Sequence, residues 1–339
     1  MLNNWDEFMI NQYKKVRSRC RKGIPPATRP QAWFYLCGAK YLMENIDNAG
    51  DDDRVHSKFE LLCVSTIILS ALCELLQNIR EVGYDAPILR MSQHTHLYKF
   101  ILFQNHTGEN KWTDDIEKDL HRNFPNHELF GGAYKTIGQK ELFHVLKAYS
   151  LHNPSVGYCQ AQAPVAALLL MNMPTEQAFW CFVSICDKYL TGYYSSGMQA
   201  IQLDGAILFG LLKRVSPGAY RHLKKQAVEP ILYMTEWFLC AFTRTLPWST
   251  VLRIWDMFVC EGVKVLFKVG LVLLKNTLTD NARKQCPTMY ETLTCLKDLP
   301  SDITNESFLI PQVVQIDISE EVMAKEHRKQ LDKRNRKNK

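Results

Sequence analysis

The chain has 339 residues, of which 46% are hydrophobic and 22% are charged, so it is long enough to bury a sizeable core and has the composition of a soluble globular protein. Its net charge is +6, but residues 325–339 carry eight Lys and Arg against two acids, which leaves the rest neutral and argues against a nucleic-acid-binding core. The eleven cysteines contain no Cys-x-x-Cys pair, which disfavours a zinc site or a disulfide framework and favours reduced thiols in a cytoplasmic protein. No metal ligand set or cofactor is predicted.

The first hundred residues contain one expected helix, one loop and one apolar run. Residues 1–19 are predicted to form an N-terminal helix that leads into the main domain. Residues 46–57 are polar and acidic, which is typical of a loop. Residues 61–73 are uncharged and apolar, but a spanning helix needs roughly 20 such residues. The run therefore favours a buried or partner-facing helix, with a membrane element as the alternative.

Apolar residues recur at helical spacing along most of the remaining chain. Residues 175–190 and 247–261 each carry the i, i+3, i+4, i+7 stripe of a half-buried helix, and Gly262 is the expected cap of the second. Similar stripes occupy residues 140–150, 162–172, 205–215, 231–243 and 264–278. Because no sustained period-2 alternation and no hairpin signal occurs, we predict an all-α fold without significant β-sheet. Residues 301–339 are predicted to be a basic, solvated C-terminal tail, with contact to an anionic membrane as the alternative.

One polar island in this helical pattern spans residues 116–122, and Thr113 is the expected N-cap of the helix that carries it. Ile116 lies on the apolar ridge of the predicted helix. Asp119 and Arg122 lie along its edge, three residues apart, so the carboxylate can pair with the guanidinium and hold it in one direction. On spacing alone, a surface salt bridge worth under about 1 kcal/mol is the more frequent meaning of this pattern.

A second polar island spans residues 157–160. Pro154 ends the preceding helix, and Gly157 permits an unusual backbone angle. Gln160 is then expected at or just before the N-terminus of the next helix, where unpaired backbone amides favour a nearby anion such as a phosphate. An ordinary interhelical loop, whose Gln caps the helix, is the alternative.

Taken in order, the two islands resemble the signature motifs of the TBC family of Rab GTPase-activating proteins, I-x-x-D-x-x-R and Y-x-Q. Every key position is filled, by Ile116, Asp119 and Arg122 in the first motif and by Tyr158 and Gln160 in the second.

Two further elements carry the same resemblance at either end of the region. The opening G-I-P-x-x-x-R-x-x-x-W element of the family is similar to the segment that contains Gly23, Pro25, Arg29 and Trp33. The closing W-D-x-F…E-G element is similar to the segment that contains Trp255, Asp256, Phe258, Glu261 and Gly262. Four motifs in order indicate a TBC domain over residues 20–300, in which Arg29 and Trp33 are expected to be structural.

The resemblance implies a fold and a mechanism. The fold would be two helical subdomains that form a groove for the GTPase. Arg122 would be an arginine finger that stabilises charge on the transferring γ-phosphoryl group, and Gln160 a glutamine finger that orients the attacking water. Asp119 would fix the Arg122 side chain, and Tyr158 would support the loop.

The resemblance also implies a partner and a setting. The partner would be a Rab-family small GTPase in its GTP–Mg form, in membrane trafficking. Residues 157–181 and 232–258 look closest to the TBC branch that binds ezrin-associated scaffolds, so we expect a cytoplasmic protein that is peripheral at endosomal or plasma membranes. A catalytically inactive helical adaptor for a Rab or scaffold is the alternative, which the intact Arg122 and Gln160 disfavour.

The chain departs from the family pattern in one region. The stretch between the opening element and the arginine motif is longer than usual, which predicts an atypical insertion at about residues 47–107.

Overall fold

The computed structural model describes residues 5–48 and 110–337, and within these ranges the regular elements are helices, with no β-strand. In chain order they are α1 (Trp5–Lys22), α2 (Arg29–Leu36), α3 (Ala39–Asn48), α4 (Thr113–Leu120), α5 (Lys135–His152), α6 (Gln162–Leu170), α7 (Thr175–Ser184), a π-helix (Ile185–Tyr189), α8 (Gln199–Val215), α9 (Pro217–Lys225), α10 (Ile231–Leu239), α11 (Trp248–Glu261), α12 (Lys264–Thr277), α13 (Asp280–Gln285), α14 (Met289–Lys297), α15 (Ser301–Thr304), α16 (Glu306–Gln315) and α17 (Glu320–Lys337). The all-α prediction is confirmed.

The chain forms two compact units. Unit 1 combines residues 1–37 with residues 185–339, and unit 2 comprises residues 38–184. Both signature motifs, at 116–122 and 158–160, belong to unit 2, whereas the opening and closing elements both belong to unit 1.

Unit 2 is built around α5, which packs against α4, α6 and α7. The inward stripe of α5 is fully buried at Leu142, Val145 and Tyr149, and the Tyr149 ring meets Phe182 of α7 edge to face at a centroid distance of 5.0 Å. Helix α6 is buried at nearly every position, which suits its uninterrupted apolar sequence. Because α4 carries most of the first motif and α6 follows the second, packing on α5 positions both motifs.

Unit 1 is centred on α11 and α12, which pack against each other and against α16. Trp255 and Phe258 of α11 are fully buried. The α11 boundary agrees with the predicted helix to one residue, and Gly262 ends it with a φ of +81° while its N–H donates to the Phe258 carbonyl at 2.8 Å. This is the glycine cap expected from the sequence.

The helix predicted at residues 175–190 is divided in the structure. Helix α7 ends at Ser184, and the following turn is a π-helix in which the Leu190 N–H donates to the Ile185 carbonyl at 2.8 Å. Ile185, Cys186 and Leu190 are all buried. The apolar pattern therefore continues through the change in hydrogen bonding, which is why it predicted one continuous helix.

The C-terminal region differs from the predicted solvated tail. Helix α16 buries Leu309, Ile310 and Val313 and packs against α11 and α12, so residues 301–318 contribute to the core of unit 1. Helix α17 is exposed over most of its charged side chains, yet it packs along α8. The prediction of a solvated tail rests on the charge of residues 325–339. The short apolar stripe at residues 309–313 is the sequence signal that indicates a buried helix instead.

Two predictions fall largely outside the described residues. They are the insertion at 47–107, of which only residues 47 and 48 at the end of α3 are described, and the apolar run at 61–73. Among the helices within residues 5–48 and 110–337, none is both long and apolar enough to cross a membrane.

Candidate functional site

The first motif occupies the C-terminal end of α4. Ile116 is fully buried and anchors α4 on α5. Asp119 lies in the last turn, and Arg122 follows the helix in a tight turn in which its N–H donates to the Asp119 carbonyl at 3.2 Å. The motif therefore places a buried apolar anchor, a buried carboxylate and an arginine in succession.

The start of α4 differs from the prediction that Thr113 caps it. Thr113 is the first helical residue, and Trp112 holds the cap position without a side-chain hydrogen bond. Asn110 takes over the capping role, since its side-chain oxygen accepts from the Trp112 N–H at 3.0 Å and its carbonyl accepts from the Thr113 N–H at 3.0 Å. Its amide also donates to Ser150 of α5 at 2.9 Å, which ties the start of α4 to the scaffold of unit 2.

Asp119 links the two signature motifs. One carboxylate oxygen accepts from Arg122 Nη1 at 3.3 Å, and the other accepts from the Tyr158 hydroxyl at 2.9 Å. The Asn123 amide donates to the Asp119 backbone carbonyl at 2.7 Å. The predicted Asp119–Arg122 pairing is thus present. It is asymmetric, because the Asp119 side chain is 11% exposed and the Arg122 side chain is 55% exposed.

The second motif begins at Gly157, where only glycine fits. Its φ is +66°, which L residues rarely adopt, and a Cβ at this position would lie 2.4 Å from the Trp112 ring. Gly157 is buried beneath that ring. The contact between Gly157 and Trp112 brings the start of the second motif against the entry to α4, so the two motifs meet at two places.

Gln160 lies two residues before the first residue of α6 and is exposed. Its carbonyl accepts from the Ala163 N–H at 3.3 Å, so the backbone already turns towards the helix. Helix α6 has no side-chain cap hydrogen bond, and its first residue, Gln162, reaches back to the loop, where its side-chain oxygen accepts from the Cys159 N–H at 3.0 Å. Among the described residues no hydrogen bond engages the Gln160 carboxamide, which therefore differs from the alternative of an ordinary capping glutamine.

The local environment keeps the supporting hydroxyl protonated. Burial, reinforced by the hydrogen bond to Asp119, raises the pKa of Tyr158 well above its usual range, so Tyr158 remains a hydrogen-bond donor. Burial also raises the pKa of the neighbouring Cys159 thiol, which disfavours a thiolate nucleophile at this loop.

The opening and closing elements meet at Asp256 in unit 1. Its carboxylate accepts from the Ile24 N–H at 2.7 Å, from Arg29 Nε at 3.0 Å and from Trp33 Nε1 at 2.8 Å. Asp256 is fully buried, and burial raises the pKa of its carboxyl while these hydrogen bonds oppose the rise. The cluster joins α2 to α11, which is consistent with the structural role predicted for Arg29 and Trp33.

The remaining motif residues pack around the same cluster. Gly23 has a φ of +101°, and a Cβ there would lie 2.7 Å from Arg253 Nε. The Pro25 carbonyl accepts from the N–H of Arg29, the first residue of α2, at 3.0 Å. The buried Trp255 ring lies 5.6 Å from the Trp33 ring between centroids.

Sequence reasoning missed three residues that organise the site, namely Trp112, Asn123 and Gln162. The signal for Gln162 was its spacing, three residues after Cys159, which suits a side chain that reaches back to a loop amide. Asn123 follows Asp119 by four residues and reaches its carbonyl. No sequence signal pairs Trp112 with Gly157, since the contact depends on tertiary packing.

One surface cavity of about 430 Å³ lies in unit 1. It is lined by Arg253, Asn305, Glu306, Ser307, Ile310 and Pro311. None of the predicted catalytic residues lines it, so the candidate site rests on hydrogen bonding and exposure in unit 2 rather than on this cavity.

Comparison with known proteins places these motifs in a family. The family model described as the Rab-GTPase-TBC domain matches residues 26–280. The chain is 48% identical to TBC1 domain family member 10A of Mus musculus, over 98% of this chain and 56% of that protein. It is 47% identical to member 10B of Homo sapiens, over 98% of this chain and 35% of that protein. It is also 43% identical to TBC1 domain family member whacked of Drosophila melanogaster, over 98% and 78% respectively.

Solved structures agree with the fold. The Chlamydomonas flagellar RabGAP TBC domain superposes with a TM-score of 0.63 at 23% identity, covering 92% of this chain and 89% of that one. The Ypt/Rab-GAP domain of Gyp1p gives a TM-score of 0.57 at 17% identity, covering 90% and 91%. At such identities the likeness concerns the fold alone. The chain spans 35% to 56% of the length of its member 10 relatives. The family model and the close relatives nevertheless show that this chain belongs to the Rab-GTPase-TBC domain family.

Proposed function

We propose that the chain accelerates GTP hydrolysis by a Rab-family GTPase, to which Arg122 and Gln160 are supplied in trans. One observation carries the proposal. Asp119 accepts hydrogen bonds from Arg122 in the first motif and from Tyr158 in the second, and the last residue of each motif, Arg122 and Gln160, is exposed. A buried carboxylate that joins the two motifs, each of which also carries one exposed polar side chain, suits a site that is completed by another molecule.

Arg122 suits the charge that develops during phosphoryl transfer. Such a reaction depends on positioning and charge stabilisation more than on covalent chemistry, and an arginine finger contributes about 10³–10⁵ in rate. The guanidinium donates one N–H to Asp119, and its other donors remain for phosphate oxygens in a planar fork that lysine cannot reproduce. Because Asp119 restricts the direction of the side chain, less conformational entropy is lost when the GTPase binds.

Gln160 suits the second task, which is to orient water. A carboxamide donates through its NH₂ group and accepts through its oxygen at the same time, so it can hold a water molecule in line with the γ-phosphate. Gly157, Tyr158 and Gln162 fix the backbone on either side of Gln160, which leaves the carboxamide free to meet the nucleotide. The nucleotide and its Mg²⁺ belong to the GTPase, so the chain needs no cofactor of its own.

This function would place the protein in membrane trafficking, as a cytoplasmic protein that is peripheral at endosomal or plasma membranes. The relatives named TBC1 domain family member 10A and 10B support the branch of the family. Contact with a scaffold protein at these membranes is part of the same proposal.

The test is single-turnover GTP hydrolysis by a panel of purified GTP-loaded Rab proteins, with and without the full chain. We expect strong acceleration for at least one Rab, with loss of at least about a hundredfold in Arg122→Ala and a comparable fall in Gln160→Ala. Lys118→Ala is the matched control, since it removes an exposed cation of α4 from a position that the I-x-x-D-x-x-R motif leaves open. It should keep the wild-type rate.

The alternative of an inactive adaptor gives a different result. An adaptor would bind a GTP-loaded Rab in a pull-down without accelerating hydrolysis, and Arg122→Ala would leave hydrolysis unchanged. That outcome across the whole panel would overturn the catalytic proposal while leaving the family assignment intact.

A further inference from the structure

Helix α17 carries a dense positive charge. Residues 325–337 contain seven Lys and Arg against two acids. A free tail of this composition would be a solvated segment without fixed geometry. In the structure these residues instead form a helix that belongs to unit 1, so the charges of residues 325–336 have defined directions.

Three contacts fix α17 antiparallel along α8. Just before α17, Asp317 accepts from Arg214 Nη2 in the last turn of α8 at 3.3 Å. Further along, the Glu326 carboxylate occupies the space that a side chain at Gly210 would need. Near the other end, Arg334 Nη1 donates to the Gln199 carbonyl, at the first residue of α8, at 2.9 Å. The helix is therefore held at its start, its middle and its end.

The face of α17 that meets α8 is distinct from its charged face. Met323, Glu326, Gln330 and Arg334 are half-buried and recur at spacings of three and four. Because a helix turns 100° per residue, a second set of residues lies on another side.

That second set is a row of cations. Lys325, Lys329, Lys333 and Arg336 follow the i, i+4, i+8, i+11 spacing of one helix face, over about 16 Å at 1.5 Å per residue, and all four are exposed. Arg328 lies beside the row. We name these five residues the α17 basic face.

The charge of the α17 basic face is only partly compensated. Lys329 pairs with Glu326 at 2.9 Å, and Asp332 lies on the same side of the helix. Within the part of the chain that the structure describes, no ion pair engages Lys325, Arg328, Lys333 or Arg336. Four cations thus remain within about two Debye lengths of one another at physiological salt, which gives a local positive potential.

We propose that the α17 basic face is a docking surface for an anionic lipid bilayer. A straight row of cations along a docked helix matches a planar surface of negative headgroups, and such clusters of four to eight Lys and Arg bind acidic lipids. Helix α17 contains no Phe, Tyr or Trp that could serve as a stacking platform for bases, and the chain before residue 325 is neutral, which disfavours a nucleic acid. The proposal is independent of GTP hydrolysis, because none of these residues belongs to the candidate site.

Binding should be electrostatic and peripheral. The exposed large hydrophobic residue of α17, Leu331, is 37% exposed and lies about 135° away from the middle of the α17 basic face. No apolar wedge therefore enters the bilayer from this face, and the affinity should fall steeply with salt.

The test is co-sedimentation of the full chain with phosphatidylcholine vesicles that contain either no acidic lipid or about 30 mol% phosphatidylserine. The variant Lys325→Gln, Arg328→Gln, Lys333→Gln, Arg336→Gln removes the four uncompensated cations. The control variant Arg221→Gln, Lys224→Gln, Lys225→Gln, Lys284→Gln removes four exposed cations from α9 and α13, with the same change in net charge. Thermal melting checks that both variants fold.

We expect wild-type protein to bind only the acidic vesicles and to be released at about 0.5 M salt. The α17 variant should bind at least about a hundredfold more weakly, since each basic residue near such a surface contributes about a fivefold factor, and the control should stay within a fewfold of wild type. If the α17 variant melts early, the four single variants replace it, each with about a fivefold loss.

Three results would overturn the proposal. In the first, the control loses as much binding as the α17 variant, which would mean that net charge alone acts. In the second, neither the combined nor the single α17 variants lose binding. In the third, an oligonucleotide competes the protein off the vesicles at equal phosphate concentration and the α17 variant loses oligonucleotide binding instead, which would assign the face to nucleic acid.

Discussion

Two buried aspartates in two units of the molecule show how similar chemistry serves different ends. In unit 1, Asp256 accepts from Arg29 with side-chain exposures of 0% and 8%. In unit 2, Asp119 accepts from Arg122 with exposures of 11% and 55%. Each carboxylate also accepts from an aromatic side chain, Trp33 in the first case and Tyr158 in the second.

The difference lies in what the arginine can still reach. Arg29 is buried and its guanidinium pairs with Asp256 of α11. This pair holds α2 against α11 and stabilises the fold. Arg122 is held at one nitrogen while much of its guanidinium faces solvent, so it can meet an anion brought by another molecule. An arginine that is oriented by a buried carboxylate and still exposed to solvent is therefore a stronger functional candidate than one that is buried and fully paired.

The largest effect that separates the two arginines is catalytic. Arg122→Lys keeps the charge but loses the fork of donors, so Rab-stimulated hydrolysis should fall by at least about a hundredfold while Rab binding survives. Single-turnover hydrolysis and a pull-down with GTP-loaded Rab measure the two quantities. Since Arg122 is exposed, its substitution should leave the unfolding free energy within about 0.5 kcal/mol of wild type. Unchanged hydrolysis with every responsive Rab would remove Arg122 from the catalytic role.

The second effect is on the unfolding free energy, and here the larger loss is expected in unit 1. Asp256→Ala leaves the Arg29 charge buried without its partner, which should lower the unfolding free energy by about 3–5 kcal/mol. Asp119→Ala leaves the Arg122 charge where water can reach it and leaves only a neutral buried group, the Tyr158 hydroxyl, without its acceptor, so the loss of unfolding free energy should be smaller. Urea unfolding of both variants gives the comparison. Equal losses would show that exposure of the arginine does not distinguish the two clusters.

A smaller effect is expected from the hydroxyl that joins the two motifs. Tyr158→Phe removes the donor to the buried Asp119 oxygen, and hydrogen bonds to charged groups contribute about 1.5–3 kcal/mol. Stimulated hydrolysis should fall less than in Arg122→Lys, because the Asp119–Arg122 pair persists. Tyr134→Phe, at an exposed tyrosine of the same unit, is the control and should change neither quantity. A Tyr158→Phe protein with wild-type stability would mean that the link is not energetically important.

The sequence predicts those parts of the fold that depend on residues close together in the chain, and it fails where residues distant in the chain interact. Residues 247–261 were predicted to be a helix because their apolar spacing is local, and α11 agrees to one residue. The cap of α4 was wrongly assigned, because Asn110 competes with Thr113 through contacts that spacing does not contain. Composition predicts a solvated segment at residues 301–318, because the charge of the C-terminal region outweighs a short apolar stripe whose partners, α11 and α12, lie about 30 to 65 residues earlier in the chain.

The candidate site divides in the same way. The Asp119–Arg122 pair followed from helical spacing, since i and i+3 are neighbours. The Tyr158–Asp119 bond joins residues 39 positions apart, and the Ile24–Asp256 bond joins residues 232 positions apart. The periodic spacing of apolar residues contains no information about pairs this far apart in the chain. The family resemblance named the residues, but the hydrogen bonds that connect them became visible only in the structure.

The smallest effect concerns a second acid of unit 1, Glu261, and depends on pH. Burial opposes ionisation of Glu261, but Arg21 at 2.6 Å and Arg17 at 2.8 Å outweigh it and lower its pKa below the ordinary value of 4.5. A carboxyl whose pKa is lower in the folded state stabilises the fold above its unfolded pKa, and this contribution is lost as pH falls through the folded value. Glu261→Gln should therefore reduce the unfolding free energy at pH 7, and the difference from wild type should shrink below about pH 4.5. Urea unfolding across pH 3–7 measures this difference, and one that stays constant with pH would show that the two arginines do not hold Glu261 in its charged form.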